Sequence, residues 1–357
     1  MRRVLMTTDT VGGVWTFTVE LAEALGRHGI DVALAAMGGM PTEAQRAEVA
    51  HIPNLRLFES PFKLEWMPDP WRDVEEAGRW LLDLERSLAP ELVHLNSYGH
   101  GALRWSAPVL LTAHSCVVSW WAAVKRSPLP DDWRRYYEEV KRSLQAVDLV
   151  ITPTEAMRAM LREHYGDLPR TRVVPNGRDP SRFRRGAKED FILTAGRLWD
   201  EAKNIRALAR MASKIAWPIY VAGDSGGADL SGCRPLGRLS PSALAAWYAR
   251  AGIYALPAFY EPFGLSVLEA ALSGCALVLG DIPSLREIWH DAALFVPPAD
   301  ASRLRTVLNS LIGNRRVRSD LARRSYQRAL ELGSDRMATQ YLAAYEEPVR
   351  GVNVLCA

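Results

Sequence analysis

Short apolar runs alternate with stretches of helical spacing along the chain, and that alternation predicts its elements. Val4-Leu5-Met6 reads as a short strand, followed by the loop Asp9-Thr10-Val11-Gly12-Gly13. Val14, Phe17, Leu21, Ala24 and Leu25 then recur at helical spacing, with Gly29 as the expected stop. Asp31-Val32-Ala33-Leu34-Ala35, Leu92-Val93-His94-Leu95, Val109-Leu110-Leu111-Thr112 and Leu149-Val150-Ile151-Thr152 are apolar almost throughout. Strands of that kind are covered on both faces, so a parallel sheet between helices is expected.

The same grammar restarts after a break. Between residues 170 and 188 stand Arg170, Arg172, Arg178, Arg182, Arg184, Arg185 and Lys188, interrupted by Pro175, Asn176-Gly177 and Pro180. That stretch reads as a solvated interdomain linker. Phe191-Ile192-Leu193-Thr194, Pro218-Ile219-Tyr220-Val221-Ala222, Ile253-Tyr254-Ala255-Leu256 and Ala276-Leu277-Val278-Leu279 predict a second sheet. Ser240 as N-cap with Pro241 in the first turn predicts a helix running to Ala251. The expected fold class is α/β, with two doubly wound Rossmann-like domains over residues 1–170 and 171–334. In the final segment, 335–357, Met337, Tyr341 and Tyr345 stand at helical spacing.

Composition narrows the function. The chain has 357 residues, enough for two domains of about 150 residues with their own cores. With 48% apolar and 24% charged residues, disordered, collagen-like and coiled-coil chains are excluded. A net charge of +3 argues against a dedicated nucleic-acid binder. Cys116, Cys233, Cys275 and Cys356 lie far apart, without zinc spacing or a disulfide framework, which fits a reducing compartment. His28, His51, His94, His100, His164 and His290 lack metal spacing and read as structural or exposed. The first apolar run is too short for a signal peptide, and no window approaches the roughly 18 apolar residues of a membrane span. A cytoplasmic location is expected, with peripheral membrane contact through the basic stretch left open.

Dinucleotide chemistry is disfavoured, because neither first loop carries G-x-G-x-x-G. Gly12-Gly13 and Gly196 stand without the other glycines, and Gly99-His100-Gly101 is followed by Arg104.

The richest segment runs from Pro257 to Ala270 and carries Glu261-Pro262-Phe263-Gly264-Leu265 and Glu269. It follows a predicted strand and opens a helix near Gly264 or Leu265, whose exposed amides suit a phosphate. Glu261 falls outside that helix and Glu269 about one turn inside it. Carboxylates accept from sugar hydroxyls, so a ligand with sugar, diphosphate and ribose in a row fits the segment. Thr194-Ala195-Gly196-Arg197-Leu198 ends the second domain's first strand, and Arg197 with Lys203 suits one diphosphate, the first as a planar fork and the second as a point charge. Two cations there would remove the need for a metal.

Together these residues resemble the retaining GT-B glycosyltransferases of family four. Glu261 to Glu269 with Pro-Phe-Gly between them is similar to that family's signature, and Gly196-Arg197-Leu198 with Lys203 to its diphosphate-binding pair. Val174-Pro175-Asn176-Gly177-Arg178-Asp179 resembles its linker, with Arg178 in place of an aliphatic residue. Leu236-Gly237-Arg238-Leu239 resembles the loop that carries the base, Gly12-Gly13 the N-terminal glycine loop, and Thr112-Ala113-His114-Ser115 the strand-end histidine, here followed by Ser115 instead of Asp. Gly274-Cys275-Ala276 lacks the proline often found there.

The resemblance implies a GT-B fold with a deep cleft between an acceptor-binding and a donor-binding domain, and a C-terminal helix returning to the first domain. It implies that Arg197 and Lys203 hold the diphosphate, Glu269 the ribose and Glu261 the donor sugar. Backbone amides around Phe263, Gly264 and Leu265 would support sugar and phosphate. Gly237 would lie by the base, Gly12 and Gly13 would let the first loop approach the donor, and His114 would sit near the reacting carbon. The implied reaction is metal-independent hexosyl transfer with retention, from a UDP- or GDP-sugar to a sugar, lipid or small-molecule acceptor, with the leaving phosphate helping to deprotonate that acceptor. No cofactor is expected, and the oligomeric state is not addressed by the sequence.

Seven of the twelve tryptophans lie between Trp66 and Trp133, where an even spread would put about two. Trp66, Trp120 and Trp121 are candidates for stacking on an acceptor, set against ordinary core packing. The alternative function is a non-catalytic sugar-nucleotide or glycan-binding protein of the same fold. Intact His114, Glu261, Arg197 and Lys203 argue against it, because binding alone does not require all four. An epimerase or phosphorylase would need a different base or a lysine-cofactor site, and the sequence offers neither.

Overall fold

Seven strands form the first sheet: β1 (Arg3–Asp9), β2 (Asp31–Met37), β3 (Leu55–Glu59), β4 (Leu92–Leu95), β5 (Val109–Thr112), β6 (Leu149–Thr152) and β7 (Thr171–Val173). Their order is β3-β2-β1-β4-β5-β6-β7, with every neighbouring pair parallel. The second sheet holds β8 (Glu189–Ala195), β9 (Ile219–Ala222), β10 (Arg234–Gly237), β11 (Ala251–Leu256), β12 (Ala276–Gly280) and β13 (Leu294–Val296). It is also wholly parallel, in the order β10-β9-β8-β11-β12-β13.

The structure is a computed structural model that describes residues 1–168 and 170–355. The chain divides into two units: Met1–Ala122, Ser127–Gly177 and the segment from Ser334 on make the first, and Ala123–Arg126 with Arg178–Gly333 the second. Cys356 and the end of the 335–357 segment lie outside the described residues. Among those described, no helix is long and apolar enough to cross a membrane.

The central strands follow the apolar runs. β4, β5 and β6 are buried at every position, as strands covered on both faces must be. The edge strands β3, β7, β10 and β13 were not expected: the first three are half-exposed or exposed and lack an apolar run, and β13 is only three residues long. β7 lies past residue 170, where a linker was expected, and continues the first sheet by pairing Thr171 to Val173 with Val150 to Thr152. The first helix, Gly13–Gly26, ends three residues before Gly29, which instead turns the chain at φ +72°. The helix Pro241–Arg250 opens as predicted, with Ser240 Oγ accepting from Ala243 N at 3.2 Å.

The helix Ser334–Leu355 belongs to the first unit. Met337, Tyr341 and Tyr345 are its buried stripe. Tyr345 Oη lies 2.8 Å from His94 Nδ1, and Tyr341 Oη 3.1 Å from Thr112 Oγ1. His94 is thus a core histidine, and burial drives its pKa well down.

The basic stretch is in part the solvated linker expected: the two units divide at Gly177/Arg178, and Arg182 and Arg184 are exposed, but other cations in it are engaged. Arg178 is 7% exposed, Arg185 lies 4.3 Å from the Tyr326 ring centroid, and Lys188 Nζ donates to the carbonyls of Tyr248, Ala249 and Ser273 at 3.1, 2.9 and 2.8 Å. Those carbonyls end two helices, where a cation is favoured by the helix dipole. These partners lie at least 60 residues away in sequence, so local composition carried no sign of them.

Strand order places the site. The first sheet winds outward in both directions from the β1/β4 neighbours, and the second from β8/β11. At such a reversal, the loops after the two strands diverge and leave a crevice at their carboxyl ends. In the first unit those loops begin at Thr10 and Asn96, and in the second at Gly196 and Pro257.

Candidate functional site

In the second unit, the loops after β8 and β11 are stitched together by the main chain. Phe259 N donates to Ala202 O at 2.8 Å. Asn204, in the left-handed region at φ +55°, donates from Nδ2 to Pro257 O at 2.9 Å and to Pro298 O at 2.8 Å. The loop after β8 is also tied to β9: Gly196 N donates to Ala222 O at 3.0 Å and Leu198 N to Asp224 O at 2.9 Å. Gly223 makes that approach possible, since a Cβ there would stand 1.9 Å from Gly196 O.

This stitching brings Lys203 onto Glu261. Lys203 Nζ lies 2.6 Å from Glu261 Oε2, and the two side chains are 15% and 12% exposed. Ser284 Oγ donates to Glu261 O at 2.6 Å and fixes that loop from the other side. Arg197 is more open, at 38% exposure, with Nη2 3.1 Å from Asp200 Oδ2 and its guanidinium 5.5 Å from the Trp199 ring centroid. Both cations expected to hold a diphosphate therefore have carboxylate partners. Arg197's lies three residues away: the guanidinium is 38% exposed and open to an incoming anion, while Asp200 is 5% exposed and also accepts from Ala202 N at 3.0 Å.

Gly264 caps the helix Leu265–Leu272 at φ +92°, a conformation that costs an L-residue side-chain strain. Its carbonyl accepts from Val267 N and Leu268 N, both at 3.0 Å. Phe263 is a core side chain, and Leu265 is half-buried. The two glutamates were expected to flank a phosphate site. Each also faces a cation: Glu261 faces Lys203, and Glu269 lies 3.1 Å from Arg178 Nε, with side chains 12% and 8% exposed. Arg178 was read as a linker residue; as an arginine facing a carboxylate, its only signal was its departure from the family pattern. Gly237 ends β10 at φ +66° and accepts from Gly223 N at 2.8 Å, so it borders the same stitched loops.

In the first unit, the loop after β1 closes on Asp9, whose Oδ1 accepts from Val11 N and Gly12 N at 3.0 Å each. Gly12 is the N-cap and Gly13 the first residue of the helix Gly13–Gly26. His114 follows β5. Its Nε2 lies 2.7 Å from Asn96 Oδ1, and the Phe17 ring meets it edge-on at 4.5 Å. Burial alone lowers its pKa to about 3, so the ring is neutral near pH 7.

The tryptophans divide. Trp66 is half-buried and packs against the first unit's core, together with Trp71, Trp80, Trp105 and Trp133, as the core-packing alternative expected. Trp120 and Trp121 are half-buried on the helix Val117–Val124, outside that cluster, with ring centroids 6.1 Å apart. Most of the tryptophan enrichment is therefore core.

Comparison with known proteins decides the family. Residues 11–182 match the model of Glycosyltransferase Family 4, and residues 189–314 that of Glycosyl transferases group 1. The chain is a family-four-like glycosyltransferase. This glycosyltransferase is 24% identical over 364 residues to a D-inositol 3-phosphate glycosyltransferase of Nocardia farcinica, a match covering 86% of this chain and 78% of the relative. Its fold superposes on sucrose-phosphate synthase from Thermosynechococcus elongatus with a TM-score of 0.81 at 19% identity, covering 97% of this chain and 99% of the other. It superposes on Anabaena HepE, solved in complex with UDP-glucose, with a TM-score of 0.76 at 14% identity, covering 97% and 100%. The glycosyltransferase fold is GT-B, with two Rossmann-like units.

Proposed function

We propose that this glycosyltransferase moves a hexosyl group, with retention and without a metal, from a UDP- or GDP-sugar to a sugar, lipid or small-molecule acceptor. The observation that carries the donor reading is the cationic and carboxylate set that the loops after β8 and β11 bring together: half-exposed Arg197 beside the buried contact of Lys203 with Glu261. Breaking an anomeric C–O bond builds negative charge on the departing diphosphate. Arg197, Lys203 and the helix that begins at Leu265 are fixed positive charge and dipole for it, present before the reaction begins. Glu261 and Glu269 are the acceptors for donor hydroxyls, on sugar and ribose. The Anabaena structure with UDP-glucose supports a nucleoside diphosphate as the handle. The relative named for D-inositol 3-phosphate supports a hydroxylated acceptor. We assign acceptor contact to the first unit, which carries His114, Trp120 and Trp121.

A thermal-shift panel with UDP, GDP, ADP and NAD, each with and without EDTA, tests the donor reading. A nucleoside diphosphate at 100 times its dissociation constant stabilises by about 2.7 kcal/mol. One diphosphate is expected to do so, equally in EDTA. Stabilisation by NAD alone, or dependence on a divalent ion, would sink it.

The acceptor reading has its own check. Trp120→Ala is expected to raise the acceptor's KM several-fold, the scale of losing about 1 kcal/mol of aromatic contact, while the donor's KM stays put. An equal rise in both constants would return Trp120 to a packing role.

A further inference from the structure

We infer that Asn96 is a positioning residue that holds His114 as the Nε2–H tautomer and so presents Nδ1 to the reaction as a hydrogen-bond acceptor. The inference rests on the reading of His114 as a reacting-site residue, and its geometry lies wholly within the first unit. Asn96 is the first residue after β4 and is 9% exposed. Its main-chain N donates to Thr7 Oγ1 at 2.8 Å, and its Nδ2 donates to Thr7 O at 2.7 Å. A carbonyl oxygen can only accept, so the amide cannot be turned over: the reverse orientation would set two oxygens 2.7 Å apart. Oδ1 therefore faces His114 Nε2, also at 2.7 Å.

An amide oxygen brings no proton to that contact, so Nε2 must carry it. A neutral imidazole has one N–H, which leaves Nδ1 as the lone-pair nitrogen. Burial keeps the ring neutral, and the titratable neighbour coupled to it, His94 on β4, is itself held neutral by burial. Phe17, edge-on at 4.5 Å, restricts ring rotation from the side of the helix Gly13–Gly26. Nδ1 has no hydrogen-bond partner among the described residues. Such a nitrogen takes an O–H donor and repels a phosphate or carbonyl oxygen. The ring thus selects a hydroxyl, and it does so only while Asn96 holds the tautomer. Anchoring through Thr7 ties this choice to β1 and β4, the neighbours at which the sheet's winding reverses.

The test is a long-range proton–nitrogen spectrum of the full chain labelled with 15N-histidine, with His114 assigned by its loss in His114→Gln. Wild type is expected to show one tautomer at neutral pH, with a protonated Nε2 and an unprotonated Nδ1. In Asn96→Leu, which keeps the shape but removes the acceptor, the two nitrogens should move toward mixed values. Turnover should fall about 10–100-fold, the scale of losing an outer-shell partner, with the donor's KM little changed. Asn96→Asp, measured at a pH low enough to protonate its carboxyl, keeps an O–H donor for Thr7 O and an acceptor oxygen for Nε2, and should restore the Nε2–H signature even if Asn96→Leu folds poorly. A protonated Nδ1 in wild type, or an unchanged spectrum in Asn96→Leu, overturns the proposal. Full turnover in His114→Gln would instead remove the reading of His114 on which the proposal rests, and the spectrum would still report the tautomer on its own.

Discussion

Arg197→Ala is expected to lower kcat/KM by about 10²–10³-fold while the chain stays folded. The size follows from the chemistry: a fixed donor aimed at charge that develops in the transition state is worth about 2.7–4 kcal/mol. The structure bears on stability in two ways. Arg197 is 38% exposed, and although its partner Asp200 is 5% exposed, that carboxylate keeps its bond from Ala202 N at 3.0 Å when the guanidinium is removed. Lys203 would be a poorer choice for this test. Its removal leaves Glu261, 12% exposed, without the ammonium 2.6 Å away, and lost activity would be mixed with lost folding. Steady-state rates with the diphosphate sugar chosen by the panel, alongside melting curves, decide the matter. Less than a threefold fall in kcat/KM would exclude Arg197 from the leaving-group site.

Arg178→Met is expected to destabilise the second unit by about 3–5 kcal/mol, the cost of stranding one charge of a buried pair. Glu269 is 12% exposed and its carboxylate lies 3.1 Å from Arg178 Nε, so little water can replace the guanidinium. Arg178 also lies 5.4 Å from the Phe183 ring centroid, and Met retains part of that packing. The double variant Arg178→Met/Glu269→Met removes both charges and should recover much of the loss, since replacing a whole buried pair by apolar groups is often neutral. Urea unfolding should be followed through the unit's own transition, because a two-unit chain need not unfold in one step. A loss under about 1 kcal/mol in the single variant would mean that solvent screens the pair. A double variant no better than the single would mean that Glu269 does not depend on Arg178.

Much of this molecule was legible in its residue order. The runs at Leu92, Val109 and Leu149 became strands buried on every residue, because a strand covered on both faces has no polar side to display. Ser240-Pro241 opened a helix because capping is settled within four residues. Gly264 marked the start of the helix that carries Glu269 because that turn has positive φ. β3, β7 and β10 were not legible: edge strands are half-exposed and short, and their pairing lies with distant neighbours. The basic stretch misled in part for a related reason. Composition counts charges, whereas Arg178 and Lys188 are defined by Glu269 and by helix-end carbonyls far along the chain. Trp66 and Trp120 are the same residue type in the same enriched region, and only packing separates them.

By itself, then, the residue order determined the α/β class and the two-sheet plan, and it singled out the loops that carry the candidate residues. Each of those depends on periodicity or on turn chemistry within a few residues. Tertiary structure alone decided which charges meet. Lys203 reaches Glu261 across 58 residues because Ala202 and Asn204 bind the loop after β11, and Asn96 meets His114 because β4 and β5 are neighbours in one sheet. Side-chain electrostatics at a few ångströms depend on strand order and loop stitching, which are set by the burial of the whole core and not by any local stretch of sequence.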